Sequence, residues 1–301
     1  MDVALKKRPL KQRRPLLVSE LQHLEDVCIN GTDNHNRVFC RYFPFLVYGR
    51  ARNSDTALVT DMVLDQDEHG GWFIQVSATS TKTSRTLAKR SRFLHLVAPI
   101  RGLATSSWAL SWLEAREESG LGHPMSDAVP LMPAPLLDGK WSDRPLSARE
   151  TKKWLTEILL NHDNDTELDH LGSHVGKVTL LAWMSKIGAN TVTRRYLGYH
   201  VESNDNSMLT YSRDAASGPL RELENMISAV RCLAFFPDST RSGYMSRELR
   251  VLGFDAWYEG AVLSRGSNCL ASGPPDSGPA QREDSRDDSS SEGSSSDESA
   301  S

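Results

Sequence analysis

Two short apolar runs, Trp72-Phe73-Ile74-Gln75-Val76 and Phe93-Leu94-His95-Leu96-Val97, read as strands in a chain otherwise written in helical periods. Each is rich in aromatic and β-branched residues and bounded by turn residues, His69-Gly70-Gly71 before the first and Pro99 after the second. A parallel sheet needs strands that alternate with crossover helices, and no such alternation is present. The pair therefore predicts one small antiparallel sheet near the N-terminal part of a mainly helical α+β domain. Between the runs lies SATSTKTSRTLAKRSR, a basic, hydroxyl-rich hairpin with no apolar face to bury.

The helical segments carry their own start and stop signals. Ser19 with Gln22 fits a capping pair ahead of the stripe Leu21, Leu24 and Cys28. A second apolar stretch covers about Arg41–Arg50, and a third helix is expected from about Leu103 to Ser119, ending at Gly120. Residues 121–146, rich in Pro and Gly, read as loop. Ser147 and Glu150 form a capping box for a helix to about Asn161, 174–188 is a helix that stops at Gly188, and Asn190–Leu197 is a short one. After Pro219 an amphipathic helix places Leu220, Leu223, Ile227, Val230 and Ala234 on one face. No internal repeat is visible.

Charge is segregated. The chain of 301 residues has a net charge of -4, yet residues 272–301 hold eight acidic and two basic side chains, which is -6, so the rest is +2. Lys6, Lys7, Arg8, Lys11, Arg13 and Arg14 stand near the start against Asp2 alone, an arm suited to DNA phosphates or simply to water. From about Ser267 the chain is Ser, Asp, Glu, Gly and Pro, a composition that cannot bury a core and is expected to be disordered. The expected organisation is a basic arm at 1–17, a domain at 18–260 and an acidic tail at 261–301. No run approaches the roughly 18 to 20 apolar residues of a membrane span, and no secretory signal is seen. Cys28, Cys40, Cys232 and Cys269 lack ligand spacing, which predicts reduced thiols in an intracellular setting, nuclear in a eukaryote, and no metal site.

Five boxes follow in order: Tyr48-Gly49-Arg50-Ala51-Arg52-Asn53-Ser54-Asp55, Thr81-Lys82-Thr83, His174-Val175-Gly176-Lys177, Leu197-Gly198-Tyr199-His200 and Thr210-Tyr211-Ser212. This series resembles the catalytic domain of the tyrosine recombinases, the phage-integrase family, of mobile-element type. The resemblance covers about residues 18–235. Arg52 falls on the first arginine with Asp55 in place of the usual glutamate, and Lys82 on the β-hairpin lysine. His174 and Lys177 fall on the His-x-x-Arg box, His200 on the Leu-Gly-His turn and Tyr211 on the nucleophile. His174 to His200 is 26 residues and Arg52 to Tyr211 is 159, both close to the family's intervals. His200 to Tyr211, at 11, is about two longer than usual.

What the resemblance implies is DNA strand breakage and rejoining through a 3′-phosphotyrosine, without metal or nucleotide cofactor. Its partners would be double-stranded DNA and further copies of the chain. The residue types suit that chemistry: a hydroxyl to attack, cations for the phosphorane charge and an acid for the leaving oxygen. Alternatives stay open within the boxes. Arg50 competes with Arg52; Arg85, Lys89 and Arg90 compete with Lys82; Tyr199 competes with Tyr211; His174 also fits a helix cap. The helix after Pro219 fits either docking on a neighbouring subunit or packing on its own core. Lys177 departs from the family, since lysine keeps the charge but lacks the bidentate fork of arginine. Members usually carry a DNA-clamping domain ahead of the catalytic one, and only about 18 residues precede the first helix here. That favours a truncated copy or one segment of a longer reading frame, with a catalytically decayed DNA-binding remnant as the alternative function.

Overall fold

The computed structural model describes residues 14–30, 33–66, 70–79, 94–104, 106–161, 168, 171–172, 174–199, 216–239 and 243–245, with the backbone alone at 28–30, 94 and 126. Lys82, His200, Tyr211, the segment 80–93 and the tail at 261–301 lie outside the described residues. So does the basic arm as far as residue 13. Arg14 grips Glu20 with two bonds of 2.7 and 2.6 Å, and Leu16 is fully buried, its N–H on Thr179 Oγ1 at 3.1 Å.

Helix α1 (Val18–Asn30) starts one residue before Ser19, so Ser19 is not its cap. The Glu20 carboxylate instead reaches back to the Leu17 N–H at 2.8 Å, the acidic half of a capping box. Leu21 and Leu24 are fully buried. Helix α2 (Asn34–Tyr48) starts seven residues before Arg41, capped by Asp33, whose carboxylate accepts from the His35 and Asn36 N–H groups. Its polar first turn hides it from an apolar reading. From Val38 to Tyr48 every residue is buried, so α2 is the central helix of the core and has no wet face there. Phe39 lies flat on Trp154 at 4.4 Å between ring centroids. Phe45 stacks on Trp112 at 5.4 Å and Tyr48 on Trp108 at 5.5 Å.

The sheet holds four antiparallel strands in the order β3-β2-β1-β4: β1 (Val59–Gln66), β2 (Trp72–Ala78), β3 (Leu94–Pro99) and β4 (Met125–Val129). The expected pair is present as β2 and β3, in the register Val76↔Leu96. Strand β1 lies outside the expectation because a register shift between Val59 and Asp61 breaks its alternation and it carries Asp61, Asp65 and Gln66. Residues 121–146 are likewise not simple loop. They hold β4 and the hairpin of β5 (Pro133–Pro135) and β6 (Trp141–Pro145), whose prolines disguise a two-stranded edge.

Helix α3 (Trp108–Glu118) begins five residues after Leu103, capped by Ser107. The delay has a cause: the Leu103 and Ala104 N–H groups donate to the buried Glu25 carboxylate at 3.2 and 2.6 Å, which holds the approach as a loop against α1. Helix α4 (Ala148–Leu160) opens on the expected box, with Ser147 Oγ accepting from the Glu150 N–H at 3.2 Å and the Glu150 carboxylate from the Ser147 N–H at 2.9 Å. Then follow α5 (Val175–Lys186), α6 (Thr191–Leu197, capped by Asn190) and α7 (Ser217–Arg231), with β7 (Phe235–Phe236) and β8 (Tyr244–Met245) after it. Leu220, Leu223, Ile227, Val230 and Ala234 are all buried, so the apolar face of α7 packs on its own core. Among the described residues no helix is long and apolar enough to cross a membrane, and no group of three His, Cys, Asp or Glu side chains could hold a metal ion.

Candidate functional site

The site grows from the end of α2. The Arg50 N–H bonds Val47 O at 3.0 Å and the Ala51 N–H bonds Leu46 O at 2.9 Å, a Schellman closure whose left-handed residue is Arg50, at φ 49°. A side chain there costs on the order of 1 kcal/mol against glycine, and the arginine offsets it with contacts. Arg50 is buried. Its Nε donates to Leu197 O at 3.2 Å and Nη1 to Val97 O at 3.1 Å and to Tyr48 O, while Nη2 meets the Tyr199 hydroxyl at 3.4 Å. With four of its five N–H donors engaged and the side chain buried, Arg50 holds α2, β3 and the end of α6 together and is not presented to a ligand.

Tyr199 answers from the other side. It is the second left-handed non-glycine residue, at φ 56°, just past the end of α6. Its hydroxyl donates to Gly49 O at 2.6 Å, so a side chain beyond each helix closes the carbonyl end of the other. Burial pushes its pKa up from the ordinary tyrosine value, with Arg50 opposing. A half-buried phenol held neutral in this way is a poor nucleophile.

Two residues past Arg50, Arg52 stands at the mouth of a short 3-10 turn, Asn53–Thr56. Its backbone N–H donates to Asp55 Oδ2 at 3.0 Å. The turn is pinned by Asn53, a residue the sequence reading passed over. Its Oδ1 accepts from the Tyr42 hydroxyl at 2.7 Å and the Thr151 hydroxyl at 2.9 Å, and its Nδ2 donates to Leu146 O at 2.8 Å. The Arg52 side chain itself is half-buried, and among the described residues its guanidinium has no hydrogen-bond partner. Asp55 is 1% exposed, and its Oδ1 is buried with no hydrogen-bond partner among the described residues.

Helix α5 brings the second cation. Gly176 lies against α2 so closely that a Cβ there would fall 2.9 Å from Leu46 Cβ, and Lys177 is the next residue. Lys177 is 5% exposed, and its Nζ donates to Gly198 O at 2.6 Å and lies 5.6 Å from the Tyr199 ring centroid. Burial first, then the charge of Arg52, push its pKa down to about 8, with Asp55 opposing and Arg50 adding. Arg52, Arg50 and Asp55 thus each lie within electrostatic reach of Lys177. Among the described residues, three cations stand here against one carboxylate, a balance that suits an anion. His174 sits exposed at the N-terminal cap of α5, three residues and one helical turn from Lys177.

Of the six residues singled out from sequence, Arg52 and Lys177 lie within electrostatic reach of each other, and His174 stands one turn before Lys177. Lys82, His200 and Tyr211 lie outside the described residues. Neither a protein-family model nor a curated protein matches the sequence. Among solved structures, the chain is similar to a Flpe–Holliday junction complex at a TM-score of 0.41 and 15% identity, over 64% of this chain and 46% of that one. It is similar also to an FLP recombinase–Holliday junction complex at a TM-score of 0.43 and 14% identity, over 80% of this chain and 60% of that one. The chain spans about half the length of the solved structures it matches.

Proposed function

We propose that this chain acts on duplex DNA as a tyrosine recombinase, breaking and rejoining strands through a 3′-phosphotyrosine. In this reading Tyr211 is the nucleophile, Arg52, Lys177, His174 and His200 surround the phosphate, and Lys82 protonates the leaving 5′ oxygen. No metal or cofactor takes part, further copies of the chain assemble on the DNA, and in a eukaryote the setting is the nucleus. The observation that carries the reading is the Arg52 guanidinium, without a hydrogen-bond partner among the described residues and within electrostatic reach of Lys177, on a turn that Asn53 pins from three sides. A guanidinium held half-open in this way can present its fork to two phosphate oxygens. Tyr199, the rival nucleophile, is tied to Gly49 O, which supports reading Tyr211 in the role.

A second reading, a DNA-binding remnant without catalysis, is favoured by one contact: the Lys177 ammonium points at Gly198 O. The two part on a duplex pool carrying a 5′-bridging phosphorothiolate, whose thiol leaving group cannot religate. A covalent adduct that persists in Tyr199→Phe and vanishes in Tyr211→Phe supports the enzyme. Binding without adduct supports the remnant, and absence of binding sinks both.

A further inference from the structure

The two edges of the four-stranded sheet differ. At β3 the edge is closed: Arg50 Nη1 donates to Val97 O, and α2 and α7 pack against the strand. At β4 it is open. Met125, Asp127, Ala128 and Val129 are all exposed, Met125 by 78%, and among the described residues no group beyond β1 bonds to the strand. Unpaired N–H and C=O groups along such an edge are a template for another strand. More apolar surface adjoins it on and beside β1, where Val63 is 44% exposed and Leu58 40%. Charge gives the edge its sign. Strands β1 and β4 together carry Asp61, Asp65 and Asp127, and neither lysine nor arginine. Asp61 accepts from the Ser77 and Thr60 hydroxyls at 3.1 and 3.3 Å, whereas Asp127 has no hydrogen-bond or ion-pair partner among the described residues.

We propose that β4 is a strand-addition site for an extended segment of a partner protein in which apolar residues alternate with lysine or arginine. The paired main chains supply the hydrogen bonds, and the alternating side chains supply the selectivity. A cation opposite or diagonal to Asp127 completes a cross-strand ion pair, while apolar groups of the partner cover Met125 and Val129. The same aspartate argues against a second copy of this chain as the occupant. Antiparallel pairing of β4 with itself about a two-fold axis brings the two Asp127 carboxylates opposite or nearly opposite each other, and like charges so placed destabilise a pair. One side chain thus bars self-pairing and selects a partner of the other sign. Duplex DNA is disfavoured on the same ground, since its phosphates share the charge of the edge. Strand addition at β4 stands or falls independently of what the chain does to DNA.

Two strand-length peptides serve as probes, one alternating valine with lysine and one valine with glutamate, each followed by fluorescence anisotropy as the full chain is titrated in. The Val/Lys peptide should bind, and the Val/Glu peptide should bind about fivefold more weakly or not at all. Asp127→Lys should reverse that order and Asp127→Asn should fall between; the position is exposed, so neither variant disturbs the core. Methylating the backbone nitrogens of the Val/Lys peptide should weaken it about tenfold or more, because the ladder loses its donors. Amide exchange, read by NMR on the full chain, should slow within Met125–Val129 when the Val/Lys peptide is bound. A methylated peptide that binds as well as its parent, or protection confined to other elements, overturns strand addition. Equal affinity for the two peptides, or an order unmoved by Asp127→Lys, overturns the charge selection. A Val/Lys peptide that does not bind overturns the site. Exchange in β4 that slows in the chain alone as its concentration rises gives the edge to a second copy and overturns the occupant.

Discussion

Removing the Asn53 side chain tests whether the arginine turn is held as described. In Asn53→Ala the Tyr42 hydroxyl keeps Thr56 Oγ1 at 2.8 Å and the Thr151 hydroxyl keeps Ser147 O at 2.9 Å. Leu146 O has no such substitute among the described residues, since its bond at 2.8 Å comes from Asn53 Nδ2. An orphaned buried carbonyl costs about 1–3 kcal/mol and the small cavity about 1 kcal/mol more, so the sum is about 2–4 kcal/mol. Tyr42→Phe removes one of two donors to Asn53 Oδ1 and strands nothing, which sets its cost at about 0.5–1.5 kcal/mol. Urea unfolding of both variants, with the slope checked for constancy, measures the two values directly. Asn53→Ala should also weaken duplex binding, because the turn that presents Arg52 loses its anchor, whereas Tyr42→Phe should leave binding near wild type. Equal costs for the two variants, or a cost below about 0.5 kcal/mol for Asn53→Ala, would refute the reasoning.

Two further changes follow from contacts elsewhere. A Cβ at Gly102 would lie 2.1 Å from Glu25 Oε1 and 2.6 Å from the Tyr48 hydroxyl oxygen, both buried and hydrogen-bonded, so Gly102→Ala should cost about 2 kcal/mol or more. Its melting temperature should fall by several degrees, and an unchanged melt would show that Glu25 moves freely. At the start of α4, Arg144 first and Ser147 next hold the Glu150 carboxyl down at about 2 against an ordinary 4.5. A folded pKa below the unfolded one means that the stability this group contributes is complete above 4.5 and is lost as pH falls through 2, though solvent keeps the amount small. Carboxyl-carbon NMR should find that low midpoint and see it rise in Arg144→Ala; an ordinary midpoint in wild type would dissolve the contact.

Legibility from sequence followed the source of each signal. Helix α7 is plain because Leu220, Leu223, Ile227 and Val230 at helical spacing face one way, and β2 with β3 because turn residues bracket them. Strand β1 and the hairpin of β5 and β6 are not, since a register shift and three prolines erase the period that marks a strand. At the site, the resemblance to the recombinase boxes points to Arg52, His174 and Lys177 but does not separate Arg52 from Arg50. That distinction rests on backbone: Arg50 occupies the left-handed position of a helix end and Arg52 the cap of the next turn. The acceptors that engage Arg50 and Lys177 are main-chain carbonyls, which every residue has and no letter of the sequence marks.

Gly176 carries a consequence for how the site can change. The gap between α5 and α2 there is one that a single methyl group would overfill, so the place of the neighbouring cation is fixed by an absent side chain and not by any bond the cation makes. Position and chemical identity of that charge are thus written in different residues. Any residue larger than glycine at 176 would press on Leu46 and move the charge, whatever side chain carries it.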